Sequence, residues 1–310
     1  MSLSNRKRLI LAKIETTYGT DSTPTGAANA ILVSDLKITP IESQLVSRDL
    51  IRPYFGNSEQ LAVACYATVG FSVELQASGT LGTAPKWGPL LRGCAFNETI
   101  SAGVSVVYAP VSNALESLSI YVNVDGVLHK LLGSRGTVSF NLDAGGIPKM
   151  QFQFTGLFAP VTDTAAPTVD FSGFKTPLTV NSQNTTAYTL HGVSAVYSKL
   201  SIDMACDVKH RTVVGADLVV LTDRKPAGST SIEMTSIATK DWFTAAKLGT
   251  TGALSITHGI TAGYKVKVDA PAVQISKPDY GDEDNVVMLN MGLAFVPGSS
   301  GNDELTITCQ

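Results

Sequence analysis

Four histidines and four cysteines are the residues of this sequence best suited to catalysis or metal binding, and their spacing argues against both. His129, His191, His210 and His258 stand far apart in the chain. Cys65, Cys94, Cys206 and Cys309 form no Cys-x-x-Cys pair, so neither a zinc site nor a redox dithiol is expected, and they read as buried thiols. There is no Gly-x-Ser-x-Gly elbow, phosphate loop, dinucleotide glycine pattern or His-Glu-x-x-His. A hydrolase would have to join distant residues such as His129 and Asp143. The acidic run Asp279-Tyr280-Gly281-Asp282-Glu283-Asp284-Asn285 offers oxygens for Ca²⁺ without the spacing of a calcium loop. It reads as a solvated hairpin tip. No catalytic residue, cofactor or metal is predicted, and the expectation is that the protein is not an enzyme.

A different chemistry is carried by Arg48, Arg52, Tyr54 and Phe55, residue types that anchor protein interfaces. They fall in residues 42–62, a long stretch without a clean period, which reads as a loop with a function or as a pair of unrecognised edge strands. The basic residues Arg6, Lys7 and Arg8 read as a solvated arm able to pack on a neighbouring subunit.

Composition sets the class of scaffold. The 310 residues are 44% hydrophobic and only 16% charged, with 27 Gly and 14 Pro, which favours a mainly β protein with a sizeable core. A formal net charge of −3 supplies no basic footprint for nucleic acid. No apolar run is long enough to span a membrane, and the first residues lack a signal-peptide core, so a cytoplasmic start and no membrane partner are expected.

One stretch, residues 69–96, organises the rest. Val69, Phe71, Val73 and Leu75 alternate as a half-buried strand, and Trp87, Leu90, Leu91 and Cys94 recur at helical spacing behind Pro85. Residues 30–41 read as a strand ending at Pro40, and residues 99–110 and 115–124 as two more strands. Asp125-Gly126 then turns a hairpin, and residues 136–142 and 150–157 form another, with Gly133 and Gly136 marking a bend.

The second half repeats the first. Leu200-Ser201-Ile202 matches Leu36-Lys37-Ile38 at an offset of 164, and Asp241-Trp242 matches Lys86-Trp87 at 155. Trp242, Ala245 and Ala246 again mark one face of a short helix, and residues 286–293 resemble 150–157 at an offset of 136. That fall implies that the second half lacks much of the region around 115–132. The pattern predicts tandem β-sandwich or β-barrel-like domains, each with a short packed α-helix: residues 1–160, a linker at 161–198, and a degenerate copy at 199–310.

Three motifs in the first half resemble the major tail tube protein of long, non-contractile-tailed bacteriophages. They are Glu15-Thr16-Thr17-Tyr18-Gly19-Thr20-Asp21, Arg48-Asp49-Leu50-Ile51-Arg52-Pro53, and the run from Pro85-Lys86-Trp87 through Leu90-Leu91-Arg92-Gly93-Cys94-Ala95-Phe96. The resemblance covers roughly residues 8–160, and the closing Asp303-Glu304-Leu305-Thr306-Ile307-Thr308 is similar to that family's ending. It implies a structural virion protein, assembled in the host cytoplasm into rings that stack as the virion tail tube. It further implies tape measure and terminator proteins as partners, and double-stranded DNA passing without sequence-specific binding. The repeat then points to homotrimeric, pseudo-sixfold rings. About 24 inner strands at roughly 4.8 Å spacing and about 40° tilt give a circumference on the order of 150 Å, wide enough for a duplex. Residues 42–62 would reach the adjacent ring through Arg48, Arg52, Tyr54 and Phe55. A β-sandwich receptor-binding or capsid-decorating protein, with the acidic tip as ligand site, is the alternative.

Overall fold

The computed structural model describes residues 3–310. The first half runs β1 (Arg8–Ile14), α1 (Gly26–Asn29), β2 (Ala30–Ile31), β3 (Ser34–Ser47) and β4 (Gln60–Glu74). After α2 (Gly88–Arg92) come β5 (Phe96–Ser101), β6 (Ser105–Pro110), β7 (Leu118–Val124), β8 (Val127–Asn141), β9 (Lys149–Phe158) and β10 (Thr162–Asp163). The second half runs β11 (Thr185–Leu190), β12 (Val193–Ser194), β13 (Tyr197–Asp203), β14 (Cys206–Val213), β15 (Ala216–Arg224) and β16 (Ala227–Glu233). It closes with α3 (Trp242–Leu248), β17 (Thr251–His258), β18 (Val266–Glu283), β19 (Val286–Phe295) and β20 (Thr306–Cys309). The protein is mainly β, as its composition requires, and its sheets are antiparallel without a closed barrel among the described residues.

The pairings of the two halves match strand for strand. In the first, β3 pairs with β4, β4 with β9, β9 with β8, β8 with β7, and β7 with β1. In the second, β13 pairs with β16, β16 with β19, β19 with β18, β18 with β17, and β17 with β11. Helix α2 follows β4 as α3 follows β16. The hairpin β14–β15 occupies the place of the outer parts of β3 and β4. What the first half has and the second lacks is the hairpin β5–β6, so the expectation that the missing region lay around 115–132 is corrected: β7 has its counterpart in β17. Residues 99–110 are likewise not one strand, because Ala102 and Gly103 turn the chain between β5 and β6.

The halves share a sheet. Residues 127–134 of β8 pair with β7, and after a bulge between Leu132 and Arg135 its last residues change partner to β13, with Phe140 opposite Ile202. The ladder extends through Leu142 N–H to Leu200 O at 2.9 Å and Ala144 N–H to Ser198 O at 2.8 Å. A row of eight strands therefore crosses the chain, in the order β3, β4, β9, β8, β13, β16, β19, β18. Strand β20 adds a second link, pairing with β6 on one side and β18 on the other.

Alternation along these strands buries one face. Val69, Phe71, Val138, Phe140, Phe152, Phe154, Leu200, Ile202, Leu289 and Met291 enter one continuous core that draws on both halves. The helices cap it. Trp87, Leu90 and Leu91 are fully buried, and Trp87 Nε1–H donates to Gln76 O at 2.7 Å. Helix α2 is shorter than the spacing suggests, since Pro89 and the flanking Gly88 and Gly93 leave little more than one turn. Trp242 is equally buried, with Ala245 beside it and Ala246 half-buried at the rim. Asp241 caps α3 through the Thr244 amide, and Gly249 closes it in the left-handed region at φ 64°.

Truncating either tryptophan removes a fully buried side chain and leaves its neighbours without contacts. Trp87→Ala and Trp242→Ala are each expected to cost about 3–5 kcal/mol, read as a lower midpoint in chemical denaturation, whereas Leu248→Ala on the exposed side of α3 should shift stability by less than about 0.5 kcal/mol.

Candidate assembly surfaces

Residues 42–62 are not a loop throughout. Residues 42–47 and 60–62 are the ends of β3 and β4, which pair out to Ser47 opposite Gln60, and the connection is confined to residues 48–59. Period-two alternation is blurred there because both faces of the hairpin are open to solvent, and because register shifts at Thr39/Glu42 and Gln44/Leu45 break the pattern. Pro40 lies inside β3 at the first of these shifts and does not end the strand, as proline can do on an edge.

The neck of the connection is fixed. Arg48 N–H donates to Glu59 O at 3.1 Å, and the Arg48 guanidinium meets Glu59 Oε2 at 2.7 Å. Beyond the neck Arg52, Tyr54 and Phe55 stand in solvent, with Ile51 103% and Phe55 107% exposed. Below it, Leu45, Val46, Leu61 and Val63 are also exposed along the stem. That is a large amount of apolar side chain for one hairpin to leave in solvent.

The second-half hairpin is not free. Strands β14 and β15 lie across β8 and β9 of the first half. Val219 of β15 is fully buried there: its N–H donates to the Tyr18 hydroxyl, and its carbonyl accepts from Arg135 Nη1 at 2.9 Å. Arg135 stacks its guanidinium over the Tyr18 ring at 5.0 Å, and burial pushes the Tyr18 phenol up, keeping it neutral. Gly133, at φ 57°, makes room, since a Cβ there would meet the Tyr18 ring at 2.7 Å. Tyr66 stacks on His210 at 4.9 Å. Sequence reading missed this clamp. Its one legible sign was the bend at Gly133-Ser134-Arg135-Gly136.

The face of the eight-strand sheet opposite the core is polar and carries charges of both signs, Glu74, Lys149, Lys199 and Glu233 standing next in the strands to the core residues Val73, Met150, Leu200 and Ile232. Ser72, Thr137, Ser139, Gln151 and Gln153 line a shallow groove of about 370 Å³ with Asp35, Lys37 and Asp203 at its margins. Ser201 and Ser229 continue the face into the second half, their hydroxyls 2.9 Å apart.

The residues that might have done chemistry are dispersed. No cluster of three metal-ligating side chains occurs among the described residues. Cys94, Cys206 and Cys309 are buried, and burial raises all three thiols, that of Cys206 to about 11 and that of Cys309 to about 12. Cys65 departs from expectation in being half-buried. His258 is buried with Nδ1 against the Thr185 hydroxyl and Nε2 on Leu178 O, and burial lowers its pKa. His129 lies near the start of β8 and Asp143 just past its other end, and they share no hydrogen bond among the described residues. The acidic run closes β18 onto β19, with Asp284 and Asn285 both at positive φ as a two-residue hairpin turn requires.

The scaffold is thus two like β halves with one exposed apolar hairpin and no gathered catalytic or metal-binding side chains among the described residues. The sequence carries the model of the phage tail tube protein family over residues 5–293, nearly its whole length, and the chain belongs to that family. The match extends well past residues 8–160, where the resemblance lay. No curated protein matches the chain in sequence. Membership makes this a bacteriophage virion component of the tail, associating with itself and other tail proteins.

The clamp on β14–β15 is testable in the isolated chain. Tyr18→Phe leaves the buried Val219 amide without its acceptor, a loss of about 1–3 kcal/mol. Limited proteolysis at the exposed turn near Val214 is expected to become faster while the far-ultraviolet circular dichroism is retained.

Proposed function

We propose that the chain forms homotrimeric, pseudo-sixfold rings that stack into the tube through which the genome leaves the virion. The observation that carries this reading is the eight-strand row contributed by one chain: apolar on the core face, polar on the other, and built from two like sets of four strands. Three such rows supply 24 strands, and the two halves act as tandem tube domains separated by residues around 161–198, although β11 within that stretch already pairs with β17 of the second half. The polar face would line the lumen. Each cation on such a lining adds salt-dependent affinity for DNA, and here Lys37, Lys149 and Lys199 are outnumbered by Asp35, Glu74, Asp203 and Glu233 on the same face, so phosphates find no net positive charge to bind.

In this reading the tip beyond the Arg48–Glu59 neck reaches the next ring, with Arg52, Tyr54 and Phe55 as its contacts, and ring growth starts and stops on tape measure and terminator proteins. Assembly takes place in the host cytoplasm.

Electron microscopy of the purified protein at high concentration is expected to show tubes with a regular axial repeat; particles that never polymerise would reject the reading. Arg52→Glu, or deletion of residues 57–60, is expected to leave rings intact and shorten or abolish tubes. Gln151→Lys together with Gln153→Lys is expected to leave tube assembly unchanged but to slow DNA ejection in virions that carry it, with the delay relieved at high salt.

A further inference from the structure

The docked hairpin β14–β15 lies on the polar face of the eight-strand sheet. Thr155 and Thr68 stand next in their strands to the core residues Phe154 and Val69, so they face away from the core, and Arg135 is the partner of Thr155 on β8. The hairpin follows this row. The Val219 carbonyl accepts from Arg135 Nη1 at 2.9 Å, the His210 ring stacks on Tyr66 at 4.9 Å, and Val208 and His210 face Tyr66, Thr68 and Thr155 across a groove of about 550 Å³. On the tube reading this face lines the lumen, so β14–β15 stands inside the lumen as an inward step, one per chain.

Alternation gives the step two faces. Val208, His210, Val219 and Leu221 turn toward the sheet, while Lys209 opposite Val220 and Arg211 opposite Leu218 turn away from it. The charges of the hairpin are matched except at one place. Asp207 meets Lys209 at 2.5 Å, Asp217 meets His210 at 2.7 Å, Asp223 meets Lys225 at 3.5 Å, and Arg224 is taken by the buried Glu304. Arg211 is exposed, and its guanidinium has no hydrogen bond or ion pair among the described residues.

We infer that Arg211 is a contact for the phosphates of duplex DNA in the lumen, made once per chain from the outward face of β14–β15. This rests on the tube reading and adds to it a point of friction, in a wall whose lysines are outnumbered by its acids. A guanidinium suits that partner: its planar fork takes two phosphate oxygens and reads no base, so the contact is the same along any sequence. Lys209 is already engaged by Asp207. The position is held from beneath. Val219 and His210, paired with each other beside Arg211, are fixed by the Tyr18 and Arg135 clamp and by the Tyr66 ring, so the guanidinium keeps its depth in the lumen as DNA moves past.

Position and partner are tested separately. Arg211→Cys is placed in a Cys65→Ser background, so that the accessible native thiol is removed, and labelled before and after assembly. In tubes a small maleimide is expected to react, whereas a maleimide on a polyethylene glycol chain too bulky for the lumen is expected to react with free chains only. Tubes labelled by both reagents, or by neither, put the hairpin outside the lumen or between subunits and overturn the inference while the tube reading stands; chains that form no tubes reject both. The partner is read from ejection kinetics of virions over a range of salt. Relative to the unsubstituted protein, Arg211→Ala is expected to eject about twofold faster at low salt and to lose that difference at high salt, where phosphate contacts are screened. Arg211→Lys, which keeps the charge, is expected to retain most of the salt dependence. Equal rates for Arg211→Ala and the unsubstituted protein at every salt reject the phosphate contact, and tails of altered length with such equal rates would assign Arg211 to the tape measure protein instead.

Discussion

A strand edge is a row of unmet hydrogen bonds, and the way this chain disposes of its edges governs the rest of its structure. Within the chain the problem is solved once, where β8 leaves β7 after its bulge and takes β13 as a new partner. The bulge is what permits the change. By letting one strand serve two partners in succession, it joins the two like halves in one sheet without inserting an extra strand. Everything on the apolar side of that sheet, from Val69 to Leu293, can then be buried in a single core, and the two tryptophan-bearing helices close its ends at equivalent places.

The same disposition explains which surfaces remain polar and which remain apolar. The sheet face away from the core carries Ser, Thr and Gln, with acids and lysines between them, at positions where strand propensity alone would favour Val or Ile, so it is hydrated. Exposed apolar residues instead gather on the β3–β4 hairpin and around the β18–β19 tip.

The fold was legible in the sequence wherever one face of an element is buried. Val69 to Leu75, the hairpin at Asp125-Gly126 and the helices at Trp87 and Trp242 alternate or recur cleanly because half of each is in the core. The stem of the long hairpin did not read as strand, since Leu45, Val46, Leu61 and Val63 are solvent-exposed and bulges shift their phase. The turn at Ala102-Gly103 was passed over because Gly103 is the sole turn residue between two apolar runs. The clamp of Tyr18 and Arg135 on Val219 was out of reach for a different reason: its members are separated by most of the chain, and the atoms that meet on Val219 belong to its backbone. A contact to a main-chain amide leaves no signature in the residue that owns it.

The two hairpins differ in a way that the duplication makes informative. In the second half, Val214 and Gly215 turn β14 into β15 at once, and that hairpin is held on the first half of its own chain by the Tyr18 clamp. In the first half the corresponding hairpin ends in residues 48–59, necked by Arg48 and Glu59 and resting on nothing within the chain. Had both been alike, a ring of such chains would present six equal projections. With one short and docked and one long and open, each chain offers a single free hairpin, so in the proposed trimeric ring three arms would serve six domains. Sixfold appearance and threefold contact can then coexist, because the sheet repeats with the domain while the arm repeats with the chain.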